Sequence, residues 1–160
     1  MILTLLPIDV NEKLNTRFKK NPDCIDVLNV FPDYYKRVGF VKPWIGYFAG
    51  VENDEIVGYG GYKGQPRDGK IEIAYGTVKQ HEGKGVATEI CRQLVSLALE
   101  TDPSLKITAR TILEVNASTQ VLKHNWFKNV GIVKDEEDGD VWEWEFNNEF
   151  KQKSTILEDN

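Results

Sequence analysis

The sequence is poor in the residues that build disulfide frameworks, metal centres and membrane spans. Its 160 residues hold two cysteines, Cys24 and Cys91, two histidines, His81 and His124, and a single methionine. The cysteines lie far apart without metal-ligand spacing, so neither a disulfide scaffold nor a metal is expected. Cys91 falls on the apolar side of a predicted helix and reads as a buried, inert thiol. A reducing, cytoplasmic setting follows as the default expectation. Long apolar runs are missing too. Met1 to Pro7, the longest near the start, lacks a basic flank and is too short for a signal peptide or a membrane span. Negative charge exceeds positive, 25 Asp and Glu against 20 Lys and Arg, for a net charge of −5. That balance argues against nucleic acid as a partner and mildly favours cationic ones. No internal repeat or low-complexity linker divides the chain, so residues 1–149 are expected to form one domain followed by a polar tail, 150–160, with a possible final helical turn.

What is present reads as alternating short elements. Ile2 to Ile8 is an opening strand, and Val10 to Phe18 a weak amphipathic helix with Leu14 and Phe18 four apart. Asp23 is placed to cap a second helical stretch from Cys24, which breaks at Pro32 and resumes through Tyr34, Tyr35 and Val38. Trp44 to Val51 and Ile56 to Lys63 are strands joined around Asn53-Asp54. Gly58, Gly60 and Gly61 weaken the second of these and suggest bulges or the close approach of a chain or ligand. A central strand from Ile71 leads to a long helix from Gly83 to about Thr101, with Val86, Ile90, Leu94, Leu97 and Ala98 on one face. Ile107 to Leu113 is a strand, and Asn116 or Ser118 caps a short helix to His124. Asn125 is the candidate for its left-handed terminator. Phe127 to Val133 and Val141 to Phe146 form a hairpin across an acidic turn, with Trp142, Trp144 and Phe146 on a core face. This order is α+β, with a mixed, mostly antiparallel sheet and helices on both faces.

One stretch carries chemistry. Ile71 to Tyr75 alternates as a strand, and a polar turn then enters a helix whose first residues include Gly83 and Gly85. Glycines there bring a ligand against the backbone, and the free N–H groups of a helix start suit a phosphate or pyrophosphate. A Walker loop requires G-x-x-x-x-G-K-[ST], which Gly83-Lys84-Gly85-Val86 does not match. A dinucleotide fingerprint requires a third glycine where Thr88 stands, and no acidic residue follows at its distance.

Gln80-x-x-Gly83-x-Gly85, followed by Val86-Ala87, resembles the acetyl-CoA pyrophosphate loop of the GNAT superfamily of N-acetyltransferases, Q/R-x-x-G-x-G/A. The strand Glu72-Ile73-Ala74-Tyr75 and the helix opening Gly83-Lys84-Gly85-Val86-Ala87-Thr88-Glu89 are similar to the branch related to ribosomal-protein N-terminal acetyltransferases. The resemblance spans most of the chain from Trp44 to Trp144 and implies a GNAT-like fold with acetyl-CoA as co-substrate. It also implies that backbone groups of Tyr75, Thr77 and Val78 pair with the pantetheine arm in a splay between the fourth and fifth strands. Backbone N–H groups of Gly83, Gly85, Val86 and Ala87 would hold the pyrophosphate. Lys84 is either a charge beside it or an ordinary solvent-facing lysine.

The implied reaction is attack of an amine on a thioester. An alkylammonium, with a reference pKa of about 10, must lose a proton directly or through water. Glu72 stands at the family's spacing for that base; the alternative is an exposed strand glutamate. The helix after the fifth strand departs from the family pattern Asn-x-x-Ser: Ser118 fits, but Asn116 lies two before it, and Val115 fills the asparagine slot. Trp126 stands at a family glycine and Leu122 at a common tyrosine. Ser118 or a water is then the expected helper at the thiolate, with Asn116 beside the coenzyme. His81 and His124 are expected at the surface. The acceptor, a small-molecule amine or a protein N-terminus, is expected against Pro22 to Trp44 and the glycine-rich strand, in a monomer or homodimer. The rival reading is a non-catalytic acyl-CoA-binding regulatory module, which keeps the loop but needs no base.

Overall fold

The computed structural model describes residues 1–149, so the expected tail at 150–160 lies outside the described residues. The chain runs β1 (Thr4–Pro7), a 3₁₀ turn (Glu12–Asn15), α1 (Thr16–Lys19), α2 (Pro22–Val38), β2 (Gly46–Gly50), β3 (Ile56–Tyr62) and β4 (Lys70–Thr77). It continues through α3 (Val86–Thr101), β5 (Lys106–Thr111), α4 (Ala117–His124), β6 (Phe127–Asp135) and β7 (Gly139–Phe146). One seven-stranded sheet, in the order β1-β2-β3-β4-β5-β7-β6, holds every strand of the described residues. All neighbouring pairs are antiparallel except β4 with β5. This is the expected element order and the expected mixed sheet.

Helices cover both faces. On one side α3 lies against β3 and β4, burying Val86, Ile90, Cys91, Leu94, Val95 and Ala98. Two of the β3 glycines explain its closeness. A Cβ at Gly58 or Gly60 would come within 2.8 Å of an Ile90 side-chain carbon, so the approaching neighbour is α3 itself. On the other side α1 and α2 pack on β2 through Phe18 against Phe48, 4.6 Å between ring centres, and through Phe31 against Gly46. Cys24 and Cys91 are both fully buried and unpaired. Burial pushes the Cys24 thiol up to about 11 and the Cys91 thiol higher still, so both are poor nucleophiles.

Several local expectations are corrected. α2 is capped by Asn21, whose side chain accepts from the Asp23 N–H, with Pro22 in the first turn. Pro at that position costs no helix hydrogen bond, so the start lies two residues before the expected Asp23. Pro32 sits inside α2 without ending it. An interior proline costs about 3 kcal/mol in a helix, but the turn that follows it is anchored. Tyr35 donates its hydroxyl to the Ile8 carbonyl at 2.7 Å and accepts from the Gly46 N–H at 3.0 Å. Leu14 is 64% exposed while Phe18 is buried; the change from 3₁₀ to α geometry between them breaks their common face. The fifth strand stops at Thr111, leaving Leu113 outside it.

The end of α4 is also corrected. Asn125 stays right-handed (φ −100°), and Trp126 takes the left-handed conformation (φ +67°). The Asn125 side chain is buried and donates to the Thr88 and Val121 carbonyls, at 3.1 and 2.9 Å, tying α4 to α3. The left-handed step falls on the next residue, which is why a glycine suits that slot better than tryptophan.

Candidate active site

β4 and β5 pair only from Lys70 to Ile73 against Lys106 to Ala109, although β4 continues to Thr77 and β5 to Thr111. Beyond Ile73 the two parallel strands part. Which β4 groups face the gap follows from the ladder. The Glu72 carbonyl accepts from the Lys63 N–H, and the Val78 N–H donates to Val57, so even-numbered residues spend their backbone groups toward β3. Tyr75 and Thr77 alternate with these and turn their N–H and C=O toward the edge that β5 has left. Val78 is not brought there: its N–H is taken by Val57, and its carbonyl accepts from His81 at 2.8 Å.

A cleft of about 470 Å³ runs from this edge to the start of α3, between Tyr75, Gly76, Thr77, Gly83, Gly85, Val86 and Ala87 on one side and Ala117, Ser118 and Val121 of α4 on the other. Gly83 (φ +79°) and Gly85 (φ +81°) are both left-handed, and a Cβ on either would meet no protein atom within 4 Å. Their conformation demands glycine, and their open side faces solvent rather than a neighbour. Gly85 ends the loop as the residue before the first turn of α3, and among the described residues no side chain caps that turn. The N–H groups of the turn are therefore left for an anion. Lys84 is exposed beside them. Gln80, the first residue of the motif, donates to Asp23 at 2.9 Å and ties the loop to the start of α2.

Glu72 points to the opposite face of β4, the α2 side, and its side chain is 18% exposed. One oxygen lies 2.5 Å from Lys63 Nζ, close enough for an ion pair though not aligned for a hydrogen bond. The other is 3.6 Å from Arg110 Nε. Arg110 reaches across from β5 and also meets Asp135 at 3.0 Å and Glu143 at 3.4 Å. Burial works against its charge, but the Asp135 bond and the Glu72 and Glu143 carboxylates outweigh burial and hold the guanidinium protonated above its usual range. Its bond to Asp135 in turn holds that carboxyl below the usual range. Three carboxylates face two cations, so the cluster is net acidic.

On the α3 side, Tyr75 donates its hydroxyl to the Ser118 carbonyl at 3.2 Å, bridging the parted strand to α4. Burial pushes this phenol far above its ordinary value, so it stays a donor. Ser118 is half-buried and faces the cleft. Asn116 forms the capping box of α4, its Oδ1 accepting from the Thr119 N–H at 3.1 Å and its own N–H donating to Thr119 Oγ1 at 3.0 Å. Leu122 is wholly buried. His81 is not the unpartnered surface residue expected: it pairs with Glu55 at 3.0 Å. His124 is exposed at the cleft rim.

Sequence reasoning brought together Glu72, Tyr75, Thr77, Gly83 and Ser118 and missed Arg110, Lys63 and Asp135. Arg110 lies on the face of β5 opposite Ile107 and Ala109, and nothing local in the sequence connects it with Glu72. Only the parallel register, Glu72 beside Thr108, sets the two on one face.

The profile of the family described as Acetyltransferase (GNAT) domain matches residues 19–128. Among curated proteins, YjdG of Bacillus subtilis (strain 168), described as an uncharacterized N-acetyltransferase, is 42% identical over 60 residues, 37% of this chain and 36% of that protein. The match thus spans about a third of the curated relative's length. A spermidine N-acetyltransferase chimera of Vibrio cholerae SpeG and hSSAT superposes with TM-score 0.70 at 14% identity, covering 94% of this chain and 98% of that one. The aminoglycoside acetyltransferase AAC(6')-Ib in complex with coenzyme A gives 0.68 at 17% identity, covering 96% and 99%. At these identities the likeness is one of fold.

Proposed function

The chain belongs to the acetyltransferase (GNAT) domain family, and from that premise we propose that it transfers the acetyl group of acetyl-CoA to a primary amine, both bound at once. The observation that carries this reading is the open β4 edge running into a glycine turn whose left-handed residues leave backbone N–H groups uncovered. Tyr75 and Thr77 offer that edge to an extended pantetheine arm, as a sheet edge offers itself to an added strand. Gly83, Gly85, Val86 and Ala87 offer N–H groups to the pyrophosphate, with Lys84 beside them. Acetyl-CoA, when bound, supplies an acyl group activated as a thioester.

The protein's share is to orient the amine, take its proton and steady the charge that builds on oxygen and sulfur. Glu72 is the proposed proton acceptor, directly or through a water. Lys63 and Arg110 fix the direction of its carboxylate. A β4 N–H near Tyr75 donates to the carbonyl oxygen as it gains charge. Ser118 is the proposed helper at the sulfur, with Asn116 holding its helix start in place. The strand Glu72-Ile73-Ala74-Tyr75 and the helix opening support a placement near the ribosomal-protein branch. The names of the structural relatives support small amines. Two buried, unpaired thiols support a reducing cytoplasmic setting.

The acidic balance of the Glu72 cluster sets the charge of the acceptor. Amines without a carboxylate are expected to be acetylated at least tenfold more efficiently than aspartate or glutamate, and their apparent affinity is expected to fall as salt is raised. A panel of acceptors assayed at two ionic strengths tests this. Acidic acceptors working as well as the others would contradict it.

A further inference from the structure

Three clefts around β4 share walls pairwise. Tyr75 lines both the coenzyme cleft and a cleft beneath α2; Ser118 lines both the coenzyme cleft and a charged cleft over β5; Lys63 lines the latter two. The cleft beneath α2 is walled by Val30, Phe31 and Tyr34 of α2 and Tyr59 of β3, over Gly61 and Ala74. Its polar atoms are almost all spent elsewhere. The hydroxyls of Tyr34, Tyr47, Tyr62 and Tyr75 donate to the carbonyls of Tyr62, Pro43, Leu94 and Ser118. Lys63, its one charged residue, is turned onto Glu72. Only the Tyr59 hydroxyl, which lies over Gly76, has no such bond among the described residues.

A ligand body in this cleft would meet aromatic rings and methyl groups. Beyond the Tyr59 hydroxyl and the lone pairs of tyrosine oxygens that already donate, a polar group on that body would lose water with little to replace it. The volume is also small, about 250 Å³, the share of about eight waters at ~30 Å³ each. That holds one ring on a short alkyl arm, whereas most of a multi-ring saccharide would stay outside, past Val30. The charged end of the cleft fixes the ligand's direction. Ala74, which it exposes, is two residues along the same face of β4 from Glu72.

We infer that the acceptor is a primary amine with a single compact apolar body, of the arylalkylamine or branched alkylamine kind. The body lies between Tyr34 and Tyr59, and the nitrogen lies at the Glu72 end, beside the Lys63 that this cleft shares with the charged one. This rests on the acetyltransferase reading above and goes further by naming the acceptor class, which differs from the polycationic substrates in the names of the structural relatives.

The experiment compares kcat/KM for phenethylamine and isoamylamine with that for spermidine and kanamycin, in wild type and in Val30→Glu. Val30 is 58% exposed at the cleft mouth, so the variant is expected to fold, and its melting temperature checks that. The apolar amines are expected to lead by at least tenfold in wild type. Val30→Glu is expected to cut that lead about tenfold through KM, leaving the Kd for acetyl-CoA within twofold. Spermidine or kanamycin matching the apolar amines, or a folded Val30→Glu with an unchanged ratio, would overturn the acceptor class while the acetyltransferase reading stands. Tight acetyl-CoA binding with no amine of any kind acetylated would overturn both.

Discussion

Glu72→Gln is expected to lower turnover by roughly 10²–10⁴-fold at neutral pH, the usual worth of a positioned general base. The substitution keeps the size and the hydrogen-bonding shape of the side chain and removes its ability to take a proton. Acetyl-CoA affinity should stay nearly constant, because the coenzyme contacts proposed for β4 are backbone groups of Tyr75 and Thr77, on the edge that Glu72 does not use. The defect should shrink as pH rises toward the ammonium pKa of about 10, since solution then supplies free amine. The ion pairs set a second signature. Lys63 lies 2.5 Å from Glu72, and with the carboxylate gone the cluster loses one negative charge and its remaining charges balance. KM for a cationic amine should therefore rise as kcat falls, and rise less at high salt. Steady-state kinetics from pH 6 to 10 at two salt concentrations separates the two effects. Full activity of Glu72→Gln at neutral pH would assign the proton to bulk water or to another group.

Gly85→Val is expected to weaken acetyl-CoA binding at least tenfold, about 1.4 kcal/mol. At φ +81° a branched side chain is strained, and its bulk enters the open space over the first N–H groups of α3. Strain alone would lower stability by about 1–2 kcal/mol, so the experiment needs a matched control. Gly69 has φ +74° and an equally open Cβ position, but it lies in the turn before β4, at the opposite end of that strand from the loop. Gly69→Val should lose similar stability and keep its affinity, whereas Gly85→Val should lose both. Calorimetric titration of the two folded variants with acetyl-CoA decides it. Equal affinities would remove the loop from the coenzyme site.

The contrast between loop and acceptor side also shows what the sequence could reveal. The loop was legible because its constraint is local: φ above zero at Gly83 and Gly85 and an uncapped helix start are written in consecutive residues. The core face of α3 was legible for the same reason, through the spacing of Val86, Ile90 and Leu94. The Glu72 cluster was not, because Lys63, Arg110, Asp135 and Glu143 come from four different strands or their flanks and meet only through sheet register. Pro32 misled because propensity predicts a break, and Tyr35, bonded to Ile8 and Gly46 from the next turn, overrides it. Trp126 stands in a glycine slot, and its φ of +67° shows what the slot favours. The stretches that wall the acceptor cleft, within Pro22 to Trp44 and the glycine-rich strand, are those the sequence points to, but its polarity is not legible, because it depends on where each tyrosine hydroxyl turns.

The central claim is that acetyl transfer takes place where β4 parts from β5. Its most direct test is product analysis: purified protein, acetyl-CoA and phenethylamine, with mass spectrometry of the amine and quantitation of released coenzyme thiol. The account predicts one N-acetylated amine for each thiol released, at a rate far above the uncatalysed mixture, and a parallel fall of both products by roughly 10²–10⁴-fold in Glu72→Gln at neutral pH. A thioester that stays intact in the presence of every amine, on a protein that binds acetyl-CoA, would contradict it and leave a binding module in place of an enzyme.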